Sequence, residues 1–339
     1  MAAPANATDR PLSPLPAPSR RLPWGALLTT LLAFALLLHF IRFTPEDLQR
    51  MGRNFTLPLG LALYGLSLAG GIFRALRLQA LHADPLPPLR LLAITLQHQC
   101  YAALLPFRAG EAALPLLLKQ EGIPMARSLA LLLMARLLDL LALALILLLA
   151  LAALDQALPP ALARDRPLWL ALLTLASVLL TLPLLFRHRL VAPLIRGSDH
   201  PLLARLPRRD WLQGRLQAFA DGLESMSRRG MRFSAWLTLG IWGGAAASAL
   251  LCCALLTPTL AMDQALAGWT LLLLLAHLPI HGFAALGTYE AAVVVVFTPL
   301  GLTPEEALAF ALITHGAQIL LLVAHGLLGV ALHRLSRTS

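Results

Sequence analysis

Charge is what this sequence has least of. Only 13% of its 339 residues are Asp, Glu, Lys or Arg, against 58% hydrophobic. Its mean hydropathy is +0.74. Soluble domains carry about 25% charged residues, so a soluble globular fold is excluded. Lysine is nearly missing, with Lys119 the single one among 27 basic side chains. Cysteine is scarce too. Cys100, Cys252 and Cys253 all lie in apolar segments, with no CxxC and no His/Cys cluster. That leaves neither a disulfide framework nor a metal site, and no cofactor is expected. Nucleotide-binding motifs are also lacking, which points away from ATP-driven chemistry.

What the chain does have is apolar runs of about 20 residues, repeated from end to end, the mark of an all-α polytopic membrane protein. Full spans are expected at 23–43, 55–73, 127–154, 167–187, 234–256 and 305–332, about six in all. Two further apolar regions, 89–119 and 265–298, are each interrupted by a break containing glycine and proline. The Pro-, Ala- and Ser-rich residues 1–22 read as a disordered tail, and 23–339 as a single transmembrane domain. Within it, 188–232 is the one sizeable polar segment. The stretch "WLQGRLQAFADGLESMSRR" spaces Leu212, Leu216, Phe219, Leu223 and Met226 as a helix would. It reads as a basic amphipathic helix at the cytoplasmic surface, with anionic lipid as its partner. Nucleic acid is not expected, because the arginines flank apolar segments.

Loop arginines also orient the chain. Arg20 and Arg21, the loop after Arg74 and Arg77, and residues 188–232 all go to the cytoplasmic side, as does the C-terminal end with Arg334 and Arg337. An even number of crossings must then separate residues 74–90 from 188–232, and two spans already supply it. Region 89–119 must therefore enter and leave on one face. Its second leg reaches only ~15 Å at 1.5 Å per residue, about half of a ~30 Å hydrocarbon core. The same parity makes 265–298 a hairpin from the opposite face, with the loops near Asp263 and Glu305 outside.

The two breaks resemble each other. "LLPFRAGEAALPLLL" and "HLPIHGFAALGTYEAAVVVV" align Pro106 with Pro279, Arg108 with His281, Gly110 with Gly287 and Glu111 with Glu290. Interrupted segments at corresponding places in two halves point to an inverted repeat with a site at the midplane. Ionisable groups at that depth cost ~2.5 kcal/mol or more each, so function or pairing must hold them. Arg108, Glu111, His281 and Glu290 are therefore candidate substrate-binding residues, with Arg74 and Arg77 as candidates for a phosphate contact. Glu290 has no arginine nearby, only His277 and His281. Arg136 and Asp139, at i and i+3, read as a structural ion pair. Gln97, His98, Gln99, His315, Gln318 and His325 are further polar positions, suited to cavity lining or interhelical hydrogen bonds. Gly240, Gly244 and Ser248 form a stripe for close helix packing.

At these residues the sequence resembles the transmembrane region of lysylphosphatidylglycerol synthases, whose stand-alone members are flippase-like membrane proteins. The resemblance is carried by "FRALRLQALHA", "LLPFRAGEAALPLLLKQEGIP", "ARLLDLLAL" and "LPIHGFAALGTYEAA" over about residues 24–333. It implies lipid translocation in a bacterial inner membrane. The synthases also carry a soluble aminoacyl-transferase domain, which is not expected here, so the protein is read as a transporter and not an enzyme. The expected substrate is a membrane lipid with a polar headgroup, held between the two tips. The alternative is a membrane enzyme acting on a lipid-linked substrate, or an assembly partner of a lipid-modifying enzyme.

Overall fold

The computed structural model describes residues 24–41, 44–82, 86–153, 160–198, 209–277 and 281–338. The tail 1–22, residues 199–208 of the polar segment and Pro279 lie outside these. The described residues form twelve α-helices and no strand. In chain order they are α1 (Trp24–Phe40), α2 (Pro45–Gly52), α3 (Leu57–Leu81), α4 (Pro88–Leu104), α5 (Ala113–Gln120) and α6 (Met125–Ala153). Then come α7 (Pro160–Ser198), α8 (Arg209–Glu224), α9 (Arg228–Leu256), α10 (Met262–Leu275), α11 (Thr288–Phe297) and α12 (Pro304–Thr338).

Five helices are long and apolar enough to cross a membrane: α3, α6, Arg164–Phe186 of α7, α9 and α12. The first expected span falls on α1, whose 17 residues extend ~26 Å, a little short of a ~30 Å core. Both broken regions are hairpins. Their return legs, α5 with 8 residues and α11 with 10, cover only ~12 and ~15 Å.

Helices α1–α6 and α7–α12 are two copies of one plan: a first apolar helix, a polar helix, a span, a broken hairpin and a closing span. The packing obeys the exchange. Helix α4 packs on α12 and α10 on α6; α2 packs on α12 and α8 on α6; α3 packs on its own counterpart, α9. Two hydrophobic cores make the inversion visible. One joins Ala75, Leu78 and Leu81 of α3 to Met231 at the start of α9. The other joins Leu59 and Leu63 of α3 to Cys252, Cys253 and Leu256 at the end of α9. The two helices are therefore antiparallel, and the cores occupy opposite ends of the molecule.

Glycine permits the closest approaches. A Cβ on Gly240 would stand 3.0 Å from Phe73, so the small-residue stripe of α9 faces α3. One on Gly329 would meet the Ala93 carbonyl of α4 at 2.8 Å. Ala220, Leu223 and Met226 of the α8 region are buried against α6, in the first core.

Candidate functional site

The two hairpin tips touch. The first is a tight turn over Pro106–Ala112 and the second over Phe283–Ala285. The Phe107 N–H donates to the His281 carbonyl across the tips at 2.8 Å. Both turns use left-handed backbone on residues that resist it: Phe107 (φ 52°) and Arg108 (φ 55°) in one, Ala284 (φ 47°) and Ala285 (φ 54°) in the other. Such conformations cost of the order of 1–3 kcal/mol each and persist only where surrounding contacts fix them. Arg108 supplies one such contact, donating to the Ala276 carbonyl at the end of α10 at 2.7 Å. The His281 ring nitrogen Nε2 lies 2.9 Å from the same carbonyl. An orphan helix-end carbonyl is thereby satisfied from both hairpins.

Beside the tips lies a cavity of about 580 Å³, bordered by α3, α4, α6, α9, α10, α11, α12 and both turns. Of the residues singled out from sequence, Arg74, Arg77, Arg108, Glu111, Arg136, His281, His98, Gln99, His315 and Gln318 border it. The charged ones form a chain. Glu111 accepts from Arg108 at 2.8 Å and from Arg136 at 2.6 Å, with His98 Nε2 at 3.4 Å. Arg136 continues to Asp139 at 3.2 Å, and Asp139 binds Arg77 at 2.5 Å. The Trp242 indole and the Thr238 hydroxyl complete the inner end, the first donating to Asp139 at 2.9 Å and the second accepting from Arg77 at 3.0 Å. A chain of alternating charge lets each guanidinium meet a carboxylate at a depth where an unpaired one is costly.

Arg136 and Asp139 pair as expected, at 3.2 Å, and each also has a closer partner, Glu111 for Arg136 and Arg77 for Asp139. Arg77, expected near the cytoplasmic surface, is 5% exposed and held by Asp139 and Thr238. Asp139 could not be assigned that role from sequence because its partner lies 62 residues earlier.

The sequence matches the family described as lysylphosphatidylglycerol synthase TM region over residues 24–326. The chain belongs to this family. No curated protein and no solved structure matches it. In this member of the lysylphosphatidylglycerol synthase TM family, Glu290 departs from the sequence reading most. It sits 1% exposed, outside the cavity wall and behind His315, whose Nδ1 is 2.6 Å from the carboxylate. Its other oxygen accepts from the Gly287 N–H at 2.7 Å, capping the start of α11. With no arginine near it in sequence, Glu290 finds its partner on α12, 25 residues on. Gln97 likewise bonds the Gly329 carbonyl instead of lining the cavity, and His325 packs against Tyr64. Trp242 was not singled out from sequence; a tryptophan in an apolar helix carries no signal of its own. Among the described residues no three His, Cys, Asp or Glu side chains gather as a metal would require.

Proposed function

We propose that this protein moves a lipid with a polar headgroup between the leaflets of the inner membrane, the headgroup passing through the cavity while the acyl chains stay in the bilayer. The observation that carries this reading is the meeting of the two tips, Phe107 on His281, beside a charged cavity between two inverted repeats. Broken helices meeting at mid-depth are how repeat-built transporters make a site, and unwound backbone there is tolerated where protein or water covers it. Family membership supports the same reading.

Alternation would come from one repeat rocking against the other. The tip-to-tip hydrogen bond and the Arg108–Ala276 bond are the contacts between hairpins that such a motion must break or carry along. The arginine distribution supports a cytoplasmic side for both termini and residues 188–232, with the loops near Asp263 and Glu305 on the outer side. No nucleotide motif accompanies the site, so movement down a gradient or with protons is the proposed driving force.

The test is reconstitution into liposomes carrying tail-labelled lipids, with a membrane-impermeant quencher added outside. Protein-dependent loss of inner-leaflet label is the expected result. Liposomes that keep half their label with and without protein, across several headgroups, would refute the proposal.

A further inference from the structure

We infer that the cavity selects lipids whose headgroup is net negative, a phosphate with no ammonium to offset it, and that Arg74 with Gln99 forms the subsite that reads this charge. The inference rests on the transport reading above.

Four guanidinium groups border the cavity: Arg74, Arg77, Arg108 and Arg136. Two carboxylates answer them. Asp139 is taken by Arg77 and Arg136, and Glu111 by Arg108 and Arg136. Glu290 does not contribute, because His315 and the Gly287 N–H occupy it outside the cavity wall. Four positive groups against two negative ones leave an excess of two, before any histidine takes a proton.

The excess is localised. Arg74 makes no hydrogen bond or ion pair with any described residue; its guanidinium lies over the Trp242 ring, 5.9 Å from the centroid. On α4, the Gln99 side-chain nitrogen is buried with no acceptor among the described residues. Both donors lie against one stretch of α3. A Cβ on Gly70 would stand 3.1 Å from Arg74 Nη1, and one on Gly71 would stand 3.3 Å from Gln99 Nε2. The two adjacent glycines leave room beside each donor, and Arg74 and Gln99 both border the cavity. An unmatched guanidinium and an unmatched amide N–H in a low-dielectric site are costly unless a ligand completes them. A phosphate fits both, since its oxygens accept from a guanidinium fork and a further N–H together. A choline or aminoacyl headgroup would bring its own cation into a wall already in excess of positive charge.

The experiment is calorimetric binding to the purified protein in detergent, using dihexanoyl phosphatidylglycerol, dihexanoyl phosphatidylcholine and glycerol 3-phosphate as probes. Phosphatidylglycerol should bind about 10-fold more tightly than phosphatidylcholine, the worth of one charge-assisted hydrogen bond. Arg74→Gln should bring phosphatidylglycerol down to the phosphatidylcholine level. Arg74→Lys should recover part of the difference, and Gln99→Leu should lose a smaller part. Glycerol 3-phosphate binding as tightly as the lipid would assign the site to a soluble phosphate and overturn the lipid class. Equal affinity for both lipids in the wild type, or unchanged preference in Arg74→Gln, would overturn the charge reading. In that case, liposome transport that persists would leave the transport proposal standing, so the two failures are separable.

Discussion

Arg77 and Asp139 form a two-pronged buried pair, Nη1 to Oδ1 at 2.5 Å and Nη2 to Oδ2 at 3.2 Å, joining α3 to α6 across 62 residues of sequence. Asp139 is 1% exposed and also accepts from Arg136 and Trp242, so α3, α6 and α9 are tied together by this one carboxylate. The pair fixes the cavity wall and frees Arg74, one helical turn away, from any carboxylate of its own.

Removing that carboxylate should be severe. Asp139→Asn leaves Arg77 buried without a counter-charge, which costs about 3–5 kcal/mol when one partner of a buried pair is lost. The check is thermal stability of purified protein in detergent, where the variant should melt well below wild type. A double change, Arg77→Met with Asp139→Leu, should recover much of the loss. Wild-type melting of Asp139→Asn would show that the pair carries no structural weight.

Glu111 is the hinge of the charge chain, since it balances both Arg108 and Arg136. Glu111→Gln and Arg108→Gln should each slow lipid movement in liposomes. The double variant should stay slow even if its stability returns. Full transport by the double variant would mean the pair only holds the tip closed.

Glu290 is assigned a role in stability. Glu290→Ala removes the Gly287 cap and strands His315, a loss of about 1–3 kcal/mol for an unsatisfied buried group. Glu290→Gln keeps an acceptor and should fold with a smaller loss. Lipid movement by the Gln variant at matched protein level should persist from pH 6 to 8, which a liposome assay reads directly. Abolished movement in a well-folded Gln variant would put Glu290 back in the translocation path.

The glycines of the tips differ in what they tolerate. A Cβ on Gly110 would fall 2.0 Å from the Tyr101 carbonyl oxygen, a backbone atom that cannot step aside. Gly287 adopts φ 77° with the nearest atom, the Phe34 nitrogen, at 3.2 Å. Gly287→Ala should therefore cost about 1–2 kcal/mol of left-handed strain, and Gly110→Ala more. Melting of the two variants side by side gives the order, and a milder Gly110→Ala would contradict the close packing of the first tip on α4.

Topology is exposed to labelling. Single cysteines at 210 and 334, on a background lacking Cys100, Cys252 and Cys253, should react only from the cytoplasmic side, and cysteines at 263 and 305 only from the outer side. Position 263 reactive only from the cytoplasm would sink the two-hairpin arrangement.

The sequence by itself determined the class, the spans and the two broken regions, because hydropathy, helix-breaking residues and loop arginines act locally and need no partner. Crossing parity then forced the hairpins, and the short legs at 113–120 and 288–297 follow from the same residues. The resemblance between "PFRAGEAALP" and the second tip placed the cavity. Only the tertiary structure decided who pairs with whom. Arg77 and Asp139, Arg136 and Glu111, Glu290 and His315 meet across 62, 25 and 25 residues. In the low dielectric between packed helices such charges take whichever opposite group the fold brings within ~3 Å, and proximity in sequence does not rank the choices. For the same reason Ala220 and Leu223 of α8 are buried on α6, and Arg74, indistinguishable in sequence from Arg77 three residues on, is the cavity guanidinium left without a carboxylate partner among the described residues.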